Sequence, residues 1–363
     1  MGRLQALGKS AEKAGKSLLR ESLVRLLPRP RPPVGPVEPS CVRRVLAVRR
    51  DSRLGNLLLL TPSLRLIKTA FPAARVEVLI SRRYGDALAH NPCVAEILTA
   101  KDLPGLRLRG YDLAFDFSPQ HAFSLSSAAW TALSGAKRRV GFDRGDAAKF
   151  LDDLVAVSAA REHETAGLAR LVRHAAPAAA LPPDSELATE WHFGPGEREE
   201  GARIWKKWGL DRETVALFLG ARAEKRLAPE WFLELGRRLA ASGRKAALAA
   251  GPAEREFLKG LSIPAGIVIA PELPLRTFAA AVAQARAVLT ADTGPMHLAV
   301  AVGAPTVELF SHTEPWRFGY AHRPGHRVLE TPGRHPRVDE AWSALTELLR
   351  LPRSRGSDAR CGS

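Results

Sequence analysis

Short apolar runs alternate with longer stretches of helical period along most of the chain. Val45–Arg49 and Val76–Ile80 read as strands, and Gly55–Ala70 between them repeats its apolar residues at helical spacing. Asn91-Pro92 turns the chain into a further short strand, Val94–Leu98. Asp112–Phe117 and Arg139–Phe142 are strands around a helix near His121–Leu133. After the Ala/Pro-rich stretch Ala175–Ser185, a second series begins near Gly196. Its strands are Val215–Leu219, Ala246–Ala250, Ile267–Ala270, Ala287–Thr290 and Thr306–Phe310. Its helices lie near Pro229–Ser242, Glu254–Leu261, Arg276–Gln284 and Met296–Val302, and a last helix, Asp339–Leu351, is a candidate to cross back onto the first half. This alternation predicts βαβ units and parallel sheets, an α/β fold, with no solenoid-type repeat.

A chain of 363 residues suits two domains rather than one. The pattern divides it into an extension and Pro-rich linker at 1–40, α/β domains at 41–180 and 186–350, and a polar tail at 351–363. The net charge of +16 favours anionic partners. Part of it is local: residues 1–32 carry eight basic and two acidic side chains. Leu4, Leu7, Ala11, Ala14, Leu18 and Leu26 recur there near helical period. That pattern fits a basic amphipathic helix lying on a membrane surface, or a solvated extension. Pro28, Pro30, Pro32, Pro33, Pro36 and Pro39 then make a stiff, extended linker. A nucleic-acid partner is not expected, because aromatics are only 6% and no basic–aromatic interleaving occurs. No apolar run approaches the ~20 residues of a spanning helix, and the basic N-terminus lacks the apolar segment of a signal peptide. Cys41, Cys93 and Cys361 have neither metal nor disulfide spacing. The expectation is a cytoplasmic protein, peripheral at most to the inner face of the cytoplasmic membrane, with no cofactor and no metal.

The densest chemistry lies in Thr290–Phe310, which reads as strand, sharp turn, helix, strand. Asp292, Thr293 and Gly294 make the turn, and Pro295 sits where a first helical turn tolerates proline. Such a turn aims free helix N–H groups at the carboxyl edge of a parallel sheet, where phosphates bind. His297 on the first turn can add a hydrogen bond or a charge. A plain turn, with Asp292 capping the helix and His297 packed, is the alternative that spacing leaves open.

Asp292-Thr-Gly-Pro-Met-His-Leu-Ala299 followed by Gly303-Ala-Pro-Thr306 closely resembles glycosyltransferase family 9, the ADP-heptose:lipopolysaccharide heptosyltransferases. Arg44–Leu64 with Phe71–Leu79, and Gly220–Trp231, resemble the family in the same order, so that the likeness covers about residues 43 to 350. It implies GT-B architecture, with two Rossmann-like domains facing a central cleft, and inverting transfer from a nucleotide-sugar donor to an anionic lipid-linked saccharide without a metal. On the donor side it implies contact of Lys225, assisted by Arg222, with the diphosphate, of Glu254 with the ribose, and a site completed by Asp292, Thr293, Gly294 and His297. On the acceptor side the family typically carries an Asp, its proposed base, where this chain has Asn56. An amide cannot take a proton near pH 7. Asp51 on the same loop is the candidate substitute, with Asp116 and His121 next. Arg49, Arg50 and Arg53 are candidates to receive acceptor phosphates or carboxylates through forked hydrogen bonds. Loss of catalysis, leaving a protein that binds a nucleotide sugar or saccharide, is the alternative that Asn56 raises.

Overall fold

A computed structural model describes residues 29–32, 35, 37–221 and 223–352. The basic segment 1–28, Arg222 and Cys361 therefore lie outside the described residues.

Among the described residues, twelve strands form two six-stranded parallel sheets. The first contains β1 (Arg44–Arg49), β2 (Arg75–Ile80), β3 (Glu96–Leu98), β4 (Leu113–Asp116), β5 (Arg138–Phe142) and β6 (Asp153–Val155), in the order β3-β2-β1-β4-β5-β6. Its helices are α1 (Leu54–Ala70), α2 (Leu125–Leu133) and α3 (Glu164–Ala175). The second contains β7 (Val215–Phe218), β8 (Ala246–Ala249), β9 (Ile267–Ala270), β10 (Ala287–Ala291), β11 (Thr306–Phe310) and β12 (His326–Glu330), in the order β12-β11-β10-β7-β8-β9. Its helices are α4 (Glu197–Lys207), α5 (Pro229–Ala241), α6 (Pro252–Glu256), α7 (Leu275–Val282), α8 (Gly294–Ala301), α9 (Pro315–Phe318) and α10 (Val338–Arg350). Both orders are the doubly wound Rossmann order. Each sheet thus reverses direction at one point, between β1 and β4 and between β7 and β10, and crevices open at the carboxyl ends there.

The central strands are apolar because both faces are covered: Val45, Leu46, Ala47 and Val48 are sealed between layers, as are Val288 and Leu289. Helix α1 runs through Pro62. Proline removes the N–H that would reach the Leu58 carbonyl, and the Thr61 hydroxyl takes its place at 2.7 Å. The same hydroxyl accepts the Glu190 N–H at 2.9 Å, tying the connection between the halves to α1. One hydrophobic core is continuous across both halves, joining Val45 and Leu58 to Phe218, Val288 and Leu298.

The last helix does not cross back. Ala341, Leu345 and Leu348 of α10 pack under the second sheet with Leu235 and Leu239 of α5, and Arg286 binds the Leu349 and Leu351 carbonyls at its end. The expected helix at Glu254–Leu261 is instead the short α6 followed by turns. Three described residues of the proline linker are docked: Arg31 N–H reaches Asp152, while Arg139 and Arg138 donate to the Arg29 and Gly35 carbonyls. Asp152 and Asp153 are thereby ion-pair residues, bound to Arg139 and to Arg138 with His174.

Candidate active site

The reversal point of the second sheet holds residues expected on the donor side. The loop after β7 carries Lys225, and the turn after β10 carries Asp292. Lys225 Nζ lies 2.7 Å from Asp292 Oδ2 and 3.3 Å from the Asp292 carbonyl. Thr313, on the loop after β11, donates to Asp292 Oδ2 at 2.6 Å and lies 3.3 Å from Lys225 Nζ. Asp292 is thus consumed by a lysine and a threonine and does not cap α8. Thr293 occupies the cap position in an extended conformation without a side-chain cap bond, its hydroxyl turned to the Ala291 carbonyl. Pro295 has no N–H, and the Met296 N–H already reaches the Thr293 carbonyl at 3.0 Å. The Gly294 N–H at the start of α8 has no side-chain cap.

His297 is packed. Its Nδ1 lies 2.7 Å from the Tyr320 hydroxyl, and burial pushes the imidazole down to about 4, with Asp292 opposing. The ring is neutral at pH 7 and can offer a hydrogen bond but not the charge that the sequence allowed. It also fixes α1 against α8: a Cβ on Gly55 would lie 2.4 Å from His297 Cδ2, and one on Gly294 would lie 3.3 Å from Leu54 Cβ. Glycine at both positions lets two helix N-termini meet across the halves. Glu254 stands in the first turn of α6, 3.9 Å from Arg226.

The first sheet's reversal point gathers the acceptor-side candidates. Arg49 ends β1 fully buried; its Nε donates to Asp51 Oδ2 at 2.6 Å and its Nη1 to the Phe117 carbonyl beyond β4. Asn56 Nδ2 donates to Asp51 Oδ1 at 3.0 Å. Asn56 thus orients Asp51, the carboxylate five residues earlier. Asp116 ends β4, buried, and accepts from Ser118 N–H and hydroxyl at 3.0 and 2.6 Å. Burial pushes its carboxyl up to about 6 against those two bonds. Arg50 does not join this cluster: it donates to Ser126 and stacks 5.2 Å from Trp130. Arg53 is the exposed N-cap of α1 and makes no cap bond.

Two residues absent from the sequence expectations complete the cluster. Arg317 of α9 reaches from the second half to Glu164 at the start of α3, with Nε and Nη2 at 3.0 and 2.9 Å from Oε2, and Nη2 also meets His121 Nδ1. Burial raises the Glu164 carboxyl and lowers the Arg317 guanidinium. Glu164 was hidden because an acid at a helix start reads as a partner of the helix dipole. Thr313 and Arg317 follow the carboxyl end of β11, the signal by which they could have been found.

The sequence profile of glycosyltransferase family 9 (heptosyltransferase) matches residues 104–340. The chain belongs to glycosyltransferase family 9. This family 9 chain is 28% identical to lipopolysaccharide heptosyltransferase 1 of Pseudomonas aeruginosa over 311 residues, covering 75% of this chain and 79% of the relative. Among solved structures, a family 9 glycosyl transferase from Veillonella parvula superposes with a TM-score of 0.74 at 16% identity, covering 86% of this chain and 99% of that one. The E. coli ADP-heptose LPS heptosyltransferase II superposes with a TM-score of 0.69 at 21% identity, covering 84% and 98%. The fold is GT-B. Among the described residues no helix is long and apolar enough to cross a membrane.

Proposed function

We propose that this glycosyltransferase moves a heptose or related sugar from an ADP-heptose-like donor to an anionic, lipid-linked acceptor of the lipopolysaccharide-core type, inverting the anomeric centre in one displacement. The observation that carries this reading is the Lys225–Asp292–Thr313 cluster beside the uncapped start of α8. A donor diphosphate binds at that helix start, beside the Gly294 N–H, and draws Lys225 from Asp292. Charge developing on the leaving diphosphate is then met by the lysine and by the helix end, with no metal required. Glu254 takes the ribose, and Thr293, Gly294 and His297 close the donor site, with Arg222 assisting.

On the acceptor side Asp51 is the general base. Its two oxygens are held by Arg49 and Asn56, and attack requires a carboxylate within reach of the acceptor hydroxyl. The basic segment 1–32 brings the enzyme to the inner face of an anionic membrane, where such an acceptor resides. Deleting residues 1–28 should leave a folded core that binds anionic vesicles more weakly at low salt; equal binding by both forms excludes this role.

A panel of nucleotide sugars followed by thermal shift identifies the donor. A true donor at about 100 times its dissociation constant stabilises by about 2.7 kcal/mol. Lys225→Ala should keep the fold and lower turnover by about 10²–10³-fold; unchanged kinetics rejects the donor assignment. Donor binding without transfer to any saccharide acceptor would instead favour the binding-protein alternative that Asn56 raises.

A further inference from the structure

Behind the start of α8 lies a buried polar cluster built around Tyr320. This side chain is sealed from solvent. Its ring centroid lies 5.1 Å from that of His163, 5.7 Å from that of His297 and 5.9 Å from that of His326. His163 comes from the first half, where it caps α3. The Tyr320 backbone is held as well. Its N–H donates to Glu308 Oε2 at 2.9 Å, and Glu308 Oε1 accepts the Thr306 hydroxyl at 2.7 Å. Glu308 is itself buried within β11. The phenol is thereby fixed from both ends, with its hydroxyl 2.7 Å from His297 Nδ1.

A neutral imidazole carries its proton on one nitrogen, and the bond made by the other nitrogen decides which. A buried hydroxyl must spend its proton on an acceptor. Met296, Val300 and Phe310 pack with Tyr320 and offer no side-chain oxygen or nitrogen, whereas Nδ1 is within reach. Tyr320 therefore donates, Nδ1 accepts, and the His297 proton sits on Nε2. That nitrogen faces the start of α1. A Cβ on Gly55 would lie 3.2 Å from it, and a Cβ on Gly294 would lie 3.5 Å from the Gly55 nitrogen. The Nε2–H thus stands at the seam where the two helix starts meet. We propose that Tyr320 is a positioning residue, which holds His297 as a neutral Nε2–H donor to the leaving β-phosphate of the sugar donor. This rests on the donor-side reading above and deepens it. As the bond from the sugar to the diphosphate breaks, negative charge grows on the phosphate oxygens. Lys225 meets that charge with a cation, and His297 meets it with a hydrogen bond that buries no further ion. The other tautomer would turn a lone pair towards the anion.

The test uses the full chain with isotope-labelled histidine. Two-bond proton–nitrogen correlations distinguish the two tautomers, and the His297 signals are those missing from H297Q. The wild type should show the Nε2–H form, and Y320F a mixture of both forms. ADP and AMP, which differ by the β-phosphate, are then titrated by calorimetry. Y320F should lose about two- to tenfold in ADP affinity, as expected for one net hydrogen bond, and stay within about twofold for AMP. A proton on Nδ1 of His297 in the wild type overturns the proposal without any variant. Wild-type ADP affinity in a folded Y320F overturns it too, as does an equal loss for ADP and AMP. Should the wild type carry its proton on Nε2 yet fail to bind ADP, it is the nucleotide-sugar reading that fails, and Tyr320 still sets the tautomer.

Discussion

The amino and carboxyl edges of the first sheet are built from the same side-chain types and behave oppositely. At the amino edge Glu77 is fully buried, and both its oxygens are taken: Oε1 by Arg44 and Arg75 at 2.6 and 3.0 Å, Oε2 by Arg109 and Tyr111 at 2.8 and 2.5 Å. Burial works against the Glu77 charge, but donation from Tyr111, Arg75 and Arg109 outweighs it and holds the carboxyl below its usual range. Arg109 first, then Arg75, carry Glu96 down to about 2. At the carboxyl edge burial wins, raising Asp116 to about 6 and raising Glu164 as well, while Arg49 keeps an unmade bond. A saturated ionic network stabilises one end of the strands, and an incompletely paired one lies at the other.

The contrast breaks most sharply in catalysis. Asp51→Asn should lower turnover by about 10²–10⁴-fold, as expected for loss of a general base, without changing donor affinity; transfer that survives it moves the base to Asp116 or His121. Asn56→Asp places a second carboxylate beside Asp51, so the acid limb of the pH–rate profile should move to higher pH. At the other edge, Glu77→Ala should cost about 1–3 kcal/mol, because the buried Tyr111 hydroxyl loses its acceptor and the partly exposed Arg44, Arg75 and Arg109 lose a shared counter-charge. Urea unfolding measures this, and the folded fraction should keep its kcat.

Gly55→Ala drives a methyl group into His297. It should destabilise by about 1–3 kcal/mol and weaken ADP binding, seen by melting and titration; full ADP affinity would separate the α1–α8 contact from the donor site.

The smallest effect tests the electrostatic sign. Glu77 and Glu96 have lowered folded values, so their contribution is complete above the usual carboxylate range and is lost as pH falls from 4.5 towards 2. Asp116 has a raised value, so its contribution is present below 3.8 and is lost as pH rises through about 6. Asp116→Asn should therefore stabilise at pH 8, by on the order of 1 kcal/mol or more, and not at pH 4. Melting curves at the two values decide, and a gain at pH 4 would contradict the assignment.

Much of this was legible in the chain. The apolar runs at Val45–Arg49 and Ala287–Thr290, buried on both faces, marked the central strands, and Asp292-Thr-Gly-Pro marked the turn after β10. The edge strands were not legible: Asp153–Val155 is only three residues long and begins on a charged side chain, and most positions of His326–Glu330 are half-buried or exposed, which erases the apolar run. Helices α3 and α4 went unread beside polar flanking loops, although α3 buries Leu168, Leu171 and Val172 at helical spacing. The candidates after the first strand came from local spacing, which placed Arg49, Asp51 and Asn56 together but could not separate them from Arg50 and Arg53.

By itself the sequence determined the strand-and-helix alternation, the family, and the residues at each strand's carboxyl end, because periodicity and turn chemistry are local. Tertiary structure decided which of those residues meet. Arg317 finds Glu164 153 positions away, and Lys225 finds Asp292 67 positions away. The first pairing depends on two sheets reversing at facing edges, the second on β10 lying beside β7 within one sheet, and no spacing in the chain encodes either.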